Sequence, residues 1–153
     1  MKNLENKDYL FSKLSEKTRK LNEVFLDTSW QEVDFDCQNF KNGINIDDEN
    51  LTDKQNEFIK LIIENIPEWK RLLSCKQHNI HDYCLDIHTL SVLKKLQEFE
   101  NFKKLKNYDK LVLLYAALLH DIEKNEKEVD PEHPKKGAEK SSSILFRLGF
   151  SED

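Results

Sequence analysis

Three histidines and one aspartate, carried on separated segments, have side chains that can do chemistry together: His88, the adjacent pair His120-Asp121, and His133. Imidazole nitrogen and carboxylate oxygen are the donors expected for Zn, Fe, Mn, Co or Ni. His88 precedes His120 by 32 residues and His120 precedes His133 by 13. Those separations suit neighbouring helices of an antiparallel bundle, where facing helices build metal sites. Taken singly, each histidine reads as a structural residue at the edge of an apolar face. Taken together, the four residues point to a divalent ion.

The elements that must position them follow from the pattern around each. Nine uncharged residues, Leu111 to Leu119, end abruptly in His120-Asp121 and then in Glu123-Lys124-Asn125-Glu126-Lys127. A helix apolar all round is a buried helix, so its end delivers a His and an Asp to the rim of a core. The negative end of the helix dipole favours a cation there. This helix is expected over Asp109 to about Lys124. His88 belongs to a helix expected from about Asp82 to Phe99, with Leu85, Val92, Leu96 and Phe99 on one face and Leu90 and Leu93 broadening it. His133 lies in a rigid loop, Asp130-Pro131-Glu132-His133-Pro134. A last helix is expected from Pro134 or Lys135 to about Leu148, with Ala138, Ile144, Leu145 and Leu148 inward and Gly149 ending it. Ser151-Glu152-Asp153 reads as the start of another helix.

Upstream, Thr52 with Gln55 three residues on forms a capping box for a helix carrying Phe58, Leu61, Ile62 and Trp69. Pro67 interrupts or restarts that helix. Residues 1–53 form an N-terminal extension in which no chemistry is evident. Leu10, Leu14, Leu21 and Phe25 hint at an amphipathic helix over Asp8 to Leu26. The residues from Trp30 to Asp36 alternate like a short strand or extended segment, Asn42-Gly43 signals a turn, and Asp47-Asp48-Glu49-Asn50 is an acidic loop at a domain boundary.

The totals agree with helices. With 153 residues, the chain is large enough for one domain with a real core. Three Gly and three Pro leave little room for the many turns of a sandwich or barrel. Mean hydropathy is −0.74, yet 10% aromatics argue against disorder throughout. A net charge of −5 gives no basic surplus for a nucleic-acid backbone. Cys37, Cys75 and Cys84 lack C-x-x-C spacing and suit reduced thiols. The start, Met1 to Lys7, is polar, unlike a secretory leader. No stretch approaches the roughly 20 apolar residues that cross a bilayer. A cytoplasmic location and no membrane partner are therefore expected.

Three runs carry a family resemblance. Asp86-Ile87-His88-Thr89-Leu90-Ser91-Val92-Leu93, Leu118-Leu119-His120-Asp121-Ile122-Glu123-Lys124 and His133-Pro134-Lys135-Lys136-Gly137-Ala138-Glu139 resemble successive motifs of the HD superfamily of metal-dependent phosphohydrolases. The similarity covers about half the chain, from Ile80 to Phe150. It looks closest to the HD domains of bacterial tRNA nucleotidyltransferases and of uridylyltransferase/uridylyl-removing enzymes. Their Tyr-x-x-Asp-x-His-Thr-Leu lead-in is similar to Tyr83, Asp86, His88, Thr89 and Leu90.

The resemblance implies an all-α, HD-like helical bundle over residues 54–153. It implies that His88, His120 and Asp121 hold a divalent metal (Mn, Fe, Co, Ni, Zn or Mg), with Asp121 and Lys124 central to catalysis. His133 would be a further metal ligand or phosphate contact, and Lys124 would neutralise a phosphate oxygen. The implied activity is hydrolysis of a phosphomonoester or phosphodiester, a nucleotide or an RNA end. The alternative is a catalytically inactive HD-fold module for nucleotide sensing or for contact with protein or RNA. Two departures bear on this choice. The family has Gly where Glu123 stands, and it completes its ligand set with an Asp or His on a later helix, beyond Asp153.

Other candidates are weaker. His78 and His81 read as loop histidines. Ser141-Ser142-Ser143 lacks a nucleophile elbow. Lys103, Lys104, Lys106 and Lys110, with Phe102 just before them and Tyr108 among them, form the best local basic patch for RNA, but Glu98 and Glu100 dilute it.

Overall fold

The computed structural model describes residues 15–27, 30–36, 38–76, 84–124 and 132–150. Every regular element among them is helical. The order is α1 (Glu16–Leu26), a 3-10 helix (Trp30–Val33), α2 (Asp53–Asn65), a second 3-10 helix (Pro67–Leu72), α3 (Leu85–Glu98), the single turn α4 (Glu100–Lys103), α5 (Asn107–Leu119) and α6 (His133–Arg147). None of these helices is long and apolar enough to cross a membrane.

Local chemistry explains where the helices begin and end. Ser15 caps α1 by accepting from the Thr18 N–H. At α2 the Thr52 hydroxyl accepts from the Gln55 N–H while the Gln55 side chain accepts from the Thr52 N–H, the reciprocal box that the sequence predicts. Pro67 stands at the first position of its 3-10 helix, where its missing N–H costs nothing. Gly149, at φ +98°, closes α6: its N–H reaches the Phe146 carbonyl and the Phe150 N–H reaches that of Leu145, a Schellman ending.

α5 is the hub, packing against α1, α3 and α6, while α1 also packs along α2. Leu111, Leu114, Tyr115, Leu118 and Leu119 of α5 are buried with Leu21 and Phe25 of α1, Phe58, Ile59 and Ile62 of α2, and Leu85, Leu90 and Leu93 of α3. Burial of each such side chain contributes about 1.5–3 kcal/mol. Tyr115 is the pivot: its ring meets Phe25 and Phe150 edge-on, each at 5.1 Å between centroids. Its hydroxyl donates to Asn22 at 2.7 Å. Phe35, Phe40 and Ile44 join the same core, so the described part of residues 1–53 shares its apolar side with the helices that follow.

Several expectations are corrected. The residues from Trp30 to Val33 coil into a 3-10 turn rather than extending; Phe35 still points inward. α5 is not buried all round, since Val112 and Leu113 are 39% and 41% exposed. Phe99 stands outside the buried face of α3, at 65% exposure; the backbone there is extended and ends the helix. In α6, Gly137 rather than Ala138 faces inward. The stretch from Glu100 to Asn107 holds one helical turn that buries Phe102. Leu10, Leu14, Cys37, residues 125–131, and Ser151-Glu152-Asp153 lie outside the described residues.

Candidate metal centre

The end of α5 differs most usefully from expectation. The helix stops at Leu119, not near Lys124. Had it continued, the Leu118 carbonyl would accept from the Ile122 N–H, four residues on. Instead the Trp69 indole N–H takes the Leu118 carbonyl at 3.1 Å. The chain tightens into bonds of three-residue span, from Ile122 N–H to Leu119 O at 3.1 Å and from Lys124 N–H to Asp121 O at 3.0 Å. Arg71 donates to the Ile122 carbonyl. The 3-10 helix Pro67–Leu72 thus grips both ends of the His120-Asp121 turn.

That turn brings two donors to a third. His120 Nε2 lies 3.0 Å from Asp121 Oδ2, His88 Nε2 lies 3.5 Å from the same oxygen, and the two Nε2 atoms are 3.4 Å apart. His120, Asp121 and His88 are the residues of a candidate metal-binding cluster. Donors about 2.1 Å from a common divalent ion stand roughly 3.0 to 3.4 Å from one another in octahedral or tetrahedral arrangements. The triangle has edges of that size.

The donor set is also oriented. His120 Nδ1 is 2.5 Å from the Ala117 carbonyl, which can only accept, so Nδ1 carries the proton and Nε2 turns to the cluster. A backbone partner behind a ligating imidazole is the usual way its tautomer is fixed. The Asp121 side chain is only 10% exposed, against 33% for His88 and 36% for His120. The carboxylate is therefore the inner corner and the imidazoles form the mouth.

Electrostatics bind the pair in the absence of a metal. The hydrogen bond to Asp121 raises the His120 imidazole above its ordinary 6.5; burial opposes this and the Ala117 carbonyl supports it. Burial works against the Asp121 carboxylate, but the hydrogen bond from His120 and the positive charges of His120, Lys124 and His88 outweigh it. Asp121 is held below its ordinary 3.8. Stability from Asp121 is therefore present above 3.8 and lost as pH falls through its lowered value. Stability from His120 is present below 6.5 and lost as pH rises through its raised value. Histidine NMR titration of metal-free protein should place His120 above 6.5, and Asp121→Asn should bring it down; an unmoved midpoint would contradict the pairing.

Of the residues singled out in the sequence, His88, His120 and Asp121 converge. Lys124 is half-buried at the end of the turn, with its charge felt by both His120 and Asp121. His133 is the first residue of α6 rather than part of a loop, because Pro134 favours the first helical turn; its side chain, like His78 and His81, lies outside the described residues. α6 nevertheless approaches the site. A Cβ on Gly137 would stand 3.8 Å from the His120 carbonyl, and Ser141 Oγ is 3.4 Å from that of Leu119. Sequence reasoning placed Trp69 on an apolar helix face and gave neither it nor Arg71 a role at this site; a tryptophan two residues after a helix-restarting proline was the available signal. Comparison with protein-family models, with curated proteins and with solved structures gives no match.

Proposed function

We propose that this chain is a metal-dependent phosphohydrolase acting on a phosphomonoester or phosphodiester, with a nucleotide or an RNA end as substrate. The observation that carries the reading is the compact triangle of His88 Nε2, His120 Nε2 and Asp121 Oδ2, with edges of 3.0 to 3.5 Å. Among the described residues three protein donors meet, fewer than the four to six that a divalent ion takes, which leaves positions for water or substrate of the kind a catalytic site keeps. A divalent ion held there would supply the positive charge that acidifies water and polarises a phosphoryl oxygen.

The chain's own groups have matching tasks. Asp121 anchors the ion from the buried side. His88 and His120 frame the open side. Lys124, whose charge already reaches the cluster, offsets negative charge on the phosphoryl group. The motif resemblance gives His133, the first residue of α6, the role of a further metal ligand or phosphate contact.

The test uses purified, untagged protein. Elemental analysis and titration with Mn2+, Co2+, Ni2+, Zn2+ and Mg2+ come first, followed by hydrolysis of p-nitrophenyl phosphate, bis(p-nitrophenyl) phosphate, nucleotides and RNA ends. Bound metal with turnover of one ester class supports the proposal. No transition metal at micromolar concentration defeats it. Metal binding without turnover favours a nucleotide-sensing or partner-binding module instead.

A further inference from the structure

Asp86 stands two residues before His88 and is wholly buried. Both its oxygens are occupied by backbone N–H groups. Oδ2 accepts from Ile44 at 2.7 Å and from Ser74 at 2.9 Å, and Oδ1 accepts from Ile87 at 2.8 Å. The Ile87 N–H is one of those left without a partner at the start of a helix, so one oxygen caps the first turn of α3 from within. The other two bonds reach back 42 and 12 residues along the chain.

Those two donors belong to interlocked loops. Ser74 has φ +56° and Gly43 has φ +85°. A Cβ on Gly43 would lie 2.4 Å from Ser74 Cα, so only glycine permits this approach. Ser74 Oγ donates to the Ile44 carbonyl at 3.1 Å. One residue later the Leu85 N–H donates to the Cys75 carbonyl at 2.7 Å. The start of α3 is therefore tied to residues 74 and 75 and, through Asp86, to residue 44. His88 stands one turn into that helix, its N–H bonded to the Cys84 carbonyl at 2.9 Å. Tilting the first turn moves its ring, and a ligand constellation tolerates displacements of only about 0.5 Å.

We propose that Asp86 is a positioning residue. It is a buried clamp through which the Gly43-Ile44 loop and Ser74 fix the first turn of α3 and hold His88 within ligating distance of His120 and Asp121. This rests on the metal-centre reading of those three side chains. It also gives part of the N-terminal region a task in building the site. A merely structural carboxylate would lower stability without altering the cluster, so the test must separate the two effects.

The full chain, labelled at its histidines, is compared as wild type, Asp86→Ala, Asp86→Asn and Thr18→Val. The last removes a buried bond between α1 and α2, from the Thr18 hydroxyl to Asn65 at 2.7 Å, and neither helix carries a cluster residue. Two readouts are taken: the NOE between the His88 and His120 rings in metal-free protein, and Co2+ affinity with its visible spectrum. Asp86→Ala should weaken the ring NOE and lower Co2+ affinity at least about 10-fold, the usual loss when a ligand's support is removed. Asp86→Asn, which keeps one acceptor oxygen, should fall between it and wild type. Thr18→Val should lose thermal stability while keeping both readouts.

If Asp86→Ala does not fold, Asp86→Asn carries the comparison. Wild-type ring contact and wild-type Co2+ affinity in the Asp86 variants would overturn the proposal. If wild type binds no Co2+, the metal reading fails, and the ring NOE alone decides whether Asp86 positions His88.

Discussion

Asp121→Ala is expected to lower divalent-metal affinity by at least about 100-fold, because loss of a supporting partner alone costs 10- to 100-fold and Asp121 is a direct donor. Hydrolysis of any phosphoester substrate should fall with it. The helical content should not change, since Asp121 lies in the turn after α5 rather than within a helix. Thermal shift gives a sensitive check. A ligand present at 100 times its dissociation constant stabilises the folded state by about 2.7 kcal/mol, so a metal-dependent rise in Tm should appear in wild type and vanish in the variant.

The converse substitution sharpens the point. Lys124→Ala removes positive charge felt by both His120 and Asp121 but no donor of the triangle. It should therefore spare metal binding while lowering turnover. A retained metal-induced Tm shift in Asp121→Ala, or loss of metal in Lys124→Ala, would mean that the inner corner of the site has been misassigned.

How much of this was legible in the sequence varies by element, for physical reasons. Local signals transferred well. The Thr52–Gln55 box and Gly149 are each satisfied by bonds within a few residues, so spacing alone sufficed. The convergence of His88 with His120-Asp121 was legible as types and order, because helices of those lengths with short connections must pack side by side. The place where α5 ends was not. The Leu118 carbonyl at that end is met by the Trp69 indole, 49 residues away, and no periodicity in residues 109–124 encodes so distant a partner. The exposed face of α5 was hidden for a similar reason. Val112, Leu113 and Ala116 are apolar, and composition cannot say which side of an apolar helix is left without a neighbour. Asp86 shows the same limit, since a lone acid in a helix's first turn ordinarily reads as a dipole match. Its bonds to Ile44 and Ser74 depend on two loops that meet only in the fold.

The part played by Trp69 leads to the largest expected loss of stability. Its side chain is fully buried, and truncation of a buried Phe or Trp to Ala costs about 3–5 kcal/mol. That is a large fraction of the roughly 5–15 kcal/mol by which a domain is stable. Trp69→Ala should therefore lower Tm by about 10 °C, at the usual 2–4 °C per kcal/mol for a domain of this size. Trp69→Phe is the more informative variant. It keeps most of the buried ring but removes the indole N–H, so the Leu118 carbonyl is released to the Ile122 N–H and α5 can run on by another turn. His120 already has helical backbone angles, so a continuing helix would re-route the chain from Asp121 onward and shift its carboxylate relative to His88. The expected result is a modest fall in Tm with a disproportionate fall in metal affinity, read by denaturation and by Co2+ titration of the same sample. Metal affinity equal to wild type in Trp69→Phe would show that the turn persists without the indole, and that Arg71, with its bond to the Ile122 carbonyl, suffices to hold it.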